Sequence, residues 1–298
     1  MDKKALKTAA IASVAFAAVG TAGALTYRAF RKMFPKPHAV EGDNAPLDVR
    51  KLEVPFEDKM LYGLMLRPKG REGKLPTVIC SHGFNSSYQY FNLSVGRSLA
   101  MSGFAVYCFD FYGGSMHGKS GGKMTEMSVF DEREQLDAVI ERIKQEPYVD
   151  TDNLFLIGES QGGFVTAITA GRHNEDVRAV VLFYPAFCIQ DDMRKKFDSV
   201  DDVPETVKVF GATVGRHYYE GLFDFDLYSE IAKYEGPVLI IHGDGDTLVD
   251  VSYGVTGAET YRDAELEILP GEEHGFSAEG KTKATELTYR FFRKHMTP

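Results

Sequence analysis

Cysteine is scarce in this chain: Cys80, Cys108 and Cys188 are the only three in 298 residues. An odd number at wide spacing is no disulfide framework, and the spacing fits no metal site, so the three read as buried free thiols. Internal repeats and low-complexity tracts are also missing, which sets aside solenoids and arrays. Positive charge is sparse beyond the first residues. Seven Lys/Arg and one Asp in residues 1–37 leave −15 on the remainder of a chain whose formal net charge is −9. A body so acidic repels nucleic acid, and no nucleic-acid partner is expected. At this length the chain can bury one large α/β core or two small ones.

Charge is absent altogether from Thr8 to Tyr27, twenty residues flanked by Lys3, Lys4 and Lys7 before and Arg28, Arg31 and Lys32 after. As a helix the run is about 30 Å long, enough to cross a bilayer. Residues 1–37 are therefore expected to be an uncleaved membrane anchor at the cell membrane. Ala22-Gly23-Ala24 has the form of a signal-peptidase site, so the alternative is a cleaved signal peptide and a secreted protein. Pro35-Lys36-Pro37 ends the helical pattern, and 38–46 is expected to be a linker.

From 47 to 298 the pattern is that of one domain in which strands alternate with helices. Val49–Pro55 and Met60–Arg67 read as an antiparallel hairpin at a sheet edge. Apolar runs follow at 77–80, 105–110, 154–157, 179–184, 237–242 and 266–269, separated by helical patterns, the last at about 282–295. That alternation predicts βαβ units, hence a largely parallel sheet with helices on both faces. Residues 186–226 break the pattern with mixed charged and aromatic pieces and are expected to form a small cap.

The chemistry centres on Leu154–Val165. Four apolar residues form a strand, and Gly158-Glu159-Ser160-Gln161-Gly162-Gly163 allows a sharp turn into a helix. This G-x-S-x-G pattern lifts the Ser160 hydroxyl above a sheet edge, where a base and a carbonyl can both reach it. In an open α/β sheet reactive groups gather at the carboxyl ends of strands. One later strand runs into His242-Gly243-Asp244-Gly245-Asp246, with Asp250 nearby, and the last runs into His274-Gly275-Phe276. His274, in a glycine-flanked loop, is the expected base, while His242 at a strand end reads as structural. Asp244, Asp246 and Asp250 all remain candidates for the acid, and together they lack the glycine and closing glutamate of a calcium loop. A tetrahedral oxyanion needs two convergent backbone N–H donors. Gln161 at the helix start supplies one, and Phe84 or Asn85 in His82-Gly83-Phe84-Asn85 the other.

These motifs, with the loop Asp110–Gly121, resemble those of the α/β-hydrolases over about residues 48–298. Within that superfamily the chain is similar to bacterial cinnamoyl/feruloyl-type esterases and to related serine-peptidase-like hydrolases. The resemblance implies the α/β-hydrolase fold and a Ser160–His274–Asp246 triad, since the second aspartate of H-G-D-G-D is the family's acid. It also implies an oxyanion hole at Phe84 and Gln161. Gly113-Gly114-Ser115-Met116 departs from the compact R-G-H-G of many relatives. The expected activity is hydrolysis of a small carboxylic ester through an acyl-enzyme, with short-peptide hydrolysis by the same triad as the alternative. Neither needs a cofactor or a metal. A chain starting near Pro37 is expected to be equally active, because no triad or oxyanion residue precedes His82.

An anchored full-length protein should sediment with membranes and resist alkaline carbonate. N-terminal sequencing checks this: a mature chain beginning at Leu25 would make the segment a signal peptide instead.

Overall fold

The computed structural model describes residues 33–298; the expected anchor at Thr8–Tyr27 lies outside the described residues. Among the described residues no helix is long and apolar enough to cross a membrane. An eight-stranded sheet forms the centre, in the order β1-β4-β6-β5-β7-β8-β11-β12. Its strands are β1 (Leu47–Lys51), β4 (Gly63–Pro68), β5 (Leu75–Ser81), β6 (Ala105–Phe109), β7 (Val149–Glu159), β8 (Val177–Phe183), β11 (Val238–Gly243) and β12 (Ala264–Leu269). β1 and β4 run antiparallel to their neighbours and the rest pair in parallel.

The edge differs from the single hairpin expected there. β1 pairs with β4, while the chain between them leaves the sheet as a small hairpin of its own, β2 (Val54–Phe56) and β3 (Lys59–Leu61). Glu57, in the left-handed region at φ 52°, makes that tight turn possible. The helix expected at 91–101 is likewise two pieces, α1 (Gln89–Asn92) and α2 (Val95–Met101). The other helices are α3 (Val129–Lys144), α4 (Ser160–Ala170), α5 (Ile189–Arg194), α6 (Leu227–Ile231), α7 (Val251–Thr260) and α8 (Ala278–His295).

Strands buried on both faces read as continuous apolar runs, and the period of two sorts their side chains. Ile79, Tyr107, Leu156, Leu182 and Ile240 point to a core shared with α3 and α4. Val78, Val106, Phe155, Val181 and Ile241 point to the opposite core, closed by α2 and α8. There Phe155 stacks on Phe292 with ring centroids 4.4 Å apart.

Two segments lie over this frame. Residues 33–46 run along the second core: Phe34 is buried edge-on to Tyr90, and the Val40 N–H donates to Ser102 Oγ at 2.9 Å. The Tyr289 hydroxyl donates to Glu41 Oε2 at 2.8 Å. Residues 186–226 contain α5 and a hairpin, β9 (Thr206–Val209) and β10 (Ala212–Gly215). Its two-residue turn places Phe210 and Gly211 at φ 46° and 85°, the left-handed pair that a tight hairpin requires.

Phe292→Ala should cost about 3–5 kcal/mol of stability, the usual range for emptying a buried aromatic site. Urea unfolding of the two proteins measures it.

Candidate active site

The site starts from a backbone that only glycine permits. A Cβ at Gly158 would overlap the carbonyl of Gly162, and one at Gly162 would overlap the carbonyls of Ser81 and His82. The end of β7, the start of α4 and the end of β5 can therefore close on one another. Between the glycines Ser160 adopts φ 51°, a left-handed conformation that costs a non-glycine residue energy. The Ser160 carbonyl accepts from the Ala186 N–H at 2.9 Å, which ties the turn to the end of β8.

Two later loops reach this serine. The Ser160 hydroxyl donates to His274 Nε2 at 3.0 Å, and His274 Nδ1–H donates to Asp246 Oδ2 at 2.7 Å. A carboxylate only accepts, so the contact with Asp246 places the ring proton on Nδ1 and leaves Nε2 as the acceptor. Asp246 Oδ1 accepts from the N–H groups of Leu248 and Val249, both at 2.9 Å. Burial would raise its pKa, but hydrogen bonding from His242 and His274 overcomes that and holds the carboxyl well below the usual range. The other candidate acids are engaged elsewhere. Asp244 accepts from the Gly271 N–H, and Asp250 caps α7 through the Ser252 N–H. His242 is buried, with Nε2–H donating to the Val249 carbonyl at 3.0 Å.

The expected oxyanion donors flank the serine. Gln161 is the second residue of α4, in the turn where N–H groups have no intrahelical acceptor. A Cβ on Gly83 would lie 3.1 Å from the Ser160 Cβ, so that loop runs directly against Ser160. The Gly83 N–H is taken by Glu159 Oε1 at 3.0 Å, whereas the next N–H, that of Phe84, finds no acceptor among the described residues. Asn85 has its N–H on the Gly114 carbonyl and its side chain on the Met116 N–H. The departing loop is firmly held, because buried Asp110 accepts from the N–H groups of Tyr88 and Lys119, each at 2.6 Å.

Several buried polar residues here carry no motif of their own. Glu159 also accepts from the Tyr184 hydroxyl at 3.0 Å, and the Tyr184 ring lies 4.6 Å from that of His274. On the other side Tyr218 donates to Gln161 Oε1 at 2.7 Å, and Gln161 Nε2 donates to Glu132 Oε2 at 2.8 Å. Burial pushes the Glu132 pKa up to about 8, against the opposing hydrogen bond from Gln161. Glu159 was within reach of the sequence, sitting inside the glycine turn. Glu132 and Tyr184 looked like any helix or strand-end residue.

Ser160 opens on a cleft lined by Phe84, Ile189, Met193, Phe210, Tyr218 and Val249 among others, with Asp192 and Lys196 at its wall. The segment 186–226 supplies most of that lining. Away from the cleft, Glu141, His173 and Asp176 bring ligand-type atoms within 4.8 Å of one another. The Lys144 ammonium already pairs with both carboxylates, so the charges there are balanced by the protein itself.

Comparison with known proteins agrees with this geometry at the level of fold and family. The model of the family described as "Serine aminopeptidase, S33" matches residues 74–229. Mouse alpha/beta hydrolase domain-containing protein 17C is 28% identical over 151 residues, covering 50% of this chain and 38% of that protein. An uncharacterized peptidase of Bacillus subtilis, YuxL, is 24% identical over 268 residues, 80% of this chain and 37% of its own length. The chain thus spans well under half of these curated relatives. Among solved structures, Est1E from Butyrivibrio proteoclasticus with ferulic acid bound superposes with a TM-score of 0.75 at 24% identity, over 82% of this chain and 98% of that one. A dienelactone hydrolase from Anabaena variabilis superposes at 0.60 with 17% identity, covering 84% and 99%.

The raised Glu132 pKa has a stability consequence. Between about pH 4.5 and 8 the folded state holds a proton that the unfolded state has lost. Stability should therefore fall as pH rises through that window, by at most about 1.4 kcal/mol per pH unit from this group. Glu132→Gln removes the proton difference, so its stability relative to the native protein should climb from pH 5 to pH 8. Urea unfolding at both pH values tests the sign.

Proposed function

Since the chain belongs to the serine aminopeptidase S33 family of α/β-hydrolases, we propose that it is a serine hydrolase cleaving small carboxylic esters through an acyl-enzyme. The observation that carries the reading is the unbroken hydrogen-bonded line from Ser160 through His274 to Asp246. Ser160 Oγ attacks the ester carbonyl while His274 Nε2 takes its proton. Asp246 holds the imidazole in that tautomer and stabilises its positive form. The negative oxygen of the tetrahedral intermediate lies against the N–H groups of Phe84 and Gln161, helped by the positive end of the α4 dipole. His274 then returns the proton to the departing alkoxide, and water repeats the sequence on the acyl-enzyme.

The predominantly apolar cleft favours an ester with an apolar acyl or alcohol part. In this reading residues 186–226 act as the cap that shapes the cleft. Peptide hydrolysis is the second reading, supported by the aminopeptidase description of the family and by the peptidase relative. Aryl esters compared with aminoacyl amides separate the two by kcat/KM.

A fluorophosphonate probe should label the native protein and not Ser160→Ala. Ser160→Ala and His274→Ala should each lose several orders of magnitude in kcat, and the double variant little more, because the pair acts as a unit. Multiplicative losses would rule that out. Asp246→Asn should slow turnover steeply with the fold intact, and Asp244→Asn far less; the opposite ranking in steady-state kinetics would assign the acid to Asp244.

A further inference from the structure

Lys281 is an unusual residue to find enclosed, at 4% exposure in the first turn of α8. Its ammonium donates to the carbonyls of Gly275 and Phe276, both at 2.5 Å. Glu159 and Glu272 act on it only through space, and burial pushes its pKa down to about 8. A buried cation without a hydrogen-bonded counter-charge costs stability, and an apolar side chain of similar volume would be cheaper.

Its place accounts for it. The two residues after His274 are both left-handed, Gly275 at φ 89° and Phe276 at φ 49°. For a phenylalanine this is strain, which persists only where the surroundings enforce it. The carbonyls that Lys281 holds belong to these two residues. The Tyr90 hydroxyl lies 2.6 Å from that of Tyr184 and 3.4 Å from the Gly275 carbonyl, and Tyr184 leads on to Glu159 and Gly83. One polar network thus joins the histidine turn, the serine turn and the oxyanion loop. Facing the ammonium are the rings of Phe34 at 5.1 Å and Tyr90 at 5.6 Å, at cation–π distance.

We propose that Lys281 is a positioning residue that holds His274 against Ser160, and that Phe34 of the N-terminal segment completes its enclosure. The inference rests on the triad reading above. It also reverses the expectation that a chain starting near Pro37 would be equally active, since such a chain lacks Phe34.

The test uses the full-length protein, Lys281→Met and Phe34→Ala, with an aryl ester substrate. Fluorophosphonate titration counts the reactive serines, so that kcat is expressed per labelled site. Lys281→Met should lower kcat per site about 10- to 100-fold and Phe34→Ala about threefold, with KM within about threefold in both, as a small misplacement of a base does. Fewer labelled sites with unchanged kcat per site would make Lys281 a folding residue only and overturn the proposal. A rise in KM with kcat preserved would do the same. If Lys281→Met yields no labelled protein, Phe34→Ala decides by the same criterion. A native protein unlabelled at Ser160 would remove the triad reading and this inference with it, whereas labelled native protein with unaffected variants removes this inference alone.

Discussion

The close approach at Gly158 and Gly162 is the constraint on which the site depends. Because neither residue has a Cβ, the first turn of α4 can lie against the Ser81 and His82 carbonyls. That contact brings the carboxyl ends of β5 and β7 together with the start of α4. It leaves Ser160 in a left-handed conformation, with Gln161 behind it and Gly83 alongside. The ends of β11 and β12 then need only deliver one loop each. The strain at Ser160 is supported by the packing around it, including the Ala186 N–H on its carbonyl.

Around this turn the protein buries ionisable groups that a purely apolar core would avoid. Asp110 accepts two loop N–H groups, Asp246 two more in addition to His274, and Glu159 one N–H and a tyrosine hydroxyl. Lys281 does the converse by donating to two carbonyls. Loops have no ladder to satisfy their polar groups, so a buried charged side chain that takes several at once fixes the loop in one conformation. The desolvation cost is spread over the fold, while the benefit falls on the few atoms that must stay in register.

The segment 186–226 and the segment 33–46 are additions to the same frame with different effects. The first contributes most of the cleft wall and, through Tyr218, meets the side chain of Gln161. The second lies over the core beside α2 and α8, and its buried Phe34 sits next to Lys281. The cleft wall and the enclosure of Lys281 are thus built from different parts of the chain.

The strands were legible because a strand buried on both faces is an unbroken apolar run, and the parallel order followed from their alternation with helices. Ser160 and His274 were legible because glycine on both sides marks a turn that lifts one side chain out. Asp246 was not singled out by spacing alone: Asp244 and Asp250 are equally acidic and equally near, and only the fold puts one of the three 2.7 Å from His274. The excursion of β2 and β3 and the break between α1 and α2 were hidden, since they arise from packing against the sheet rather than from local preference. Glu132, Tyr184 and Phe34 were hidden for a stronger reason. Each meets a partner far away in sequence, Tyr184 reaching Tyr90 across 94 residues and Glu159 across 25, and Glu132 reaching Gln161 across 29. Lys281 is close to Gly275 and Phe276 in the chain, but no local pattern marks it as enclosed. Local pattern determines which elements form and where the chain must turn; which side chains meet at those turns is decided only when the sheet assembles and its strand ends converge.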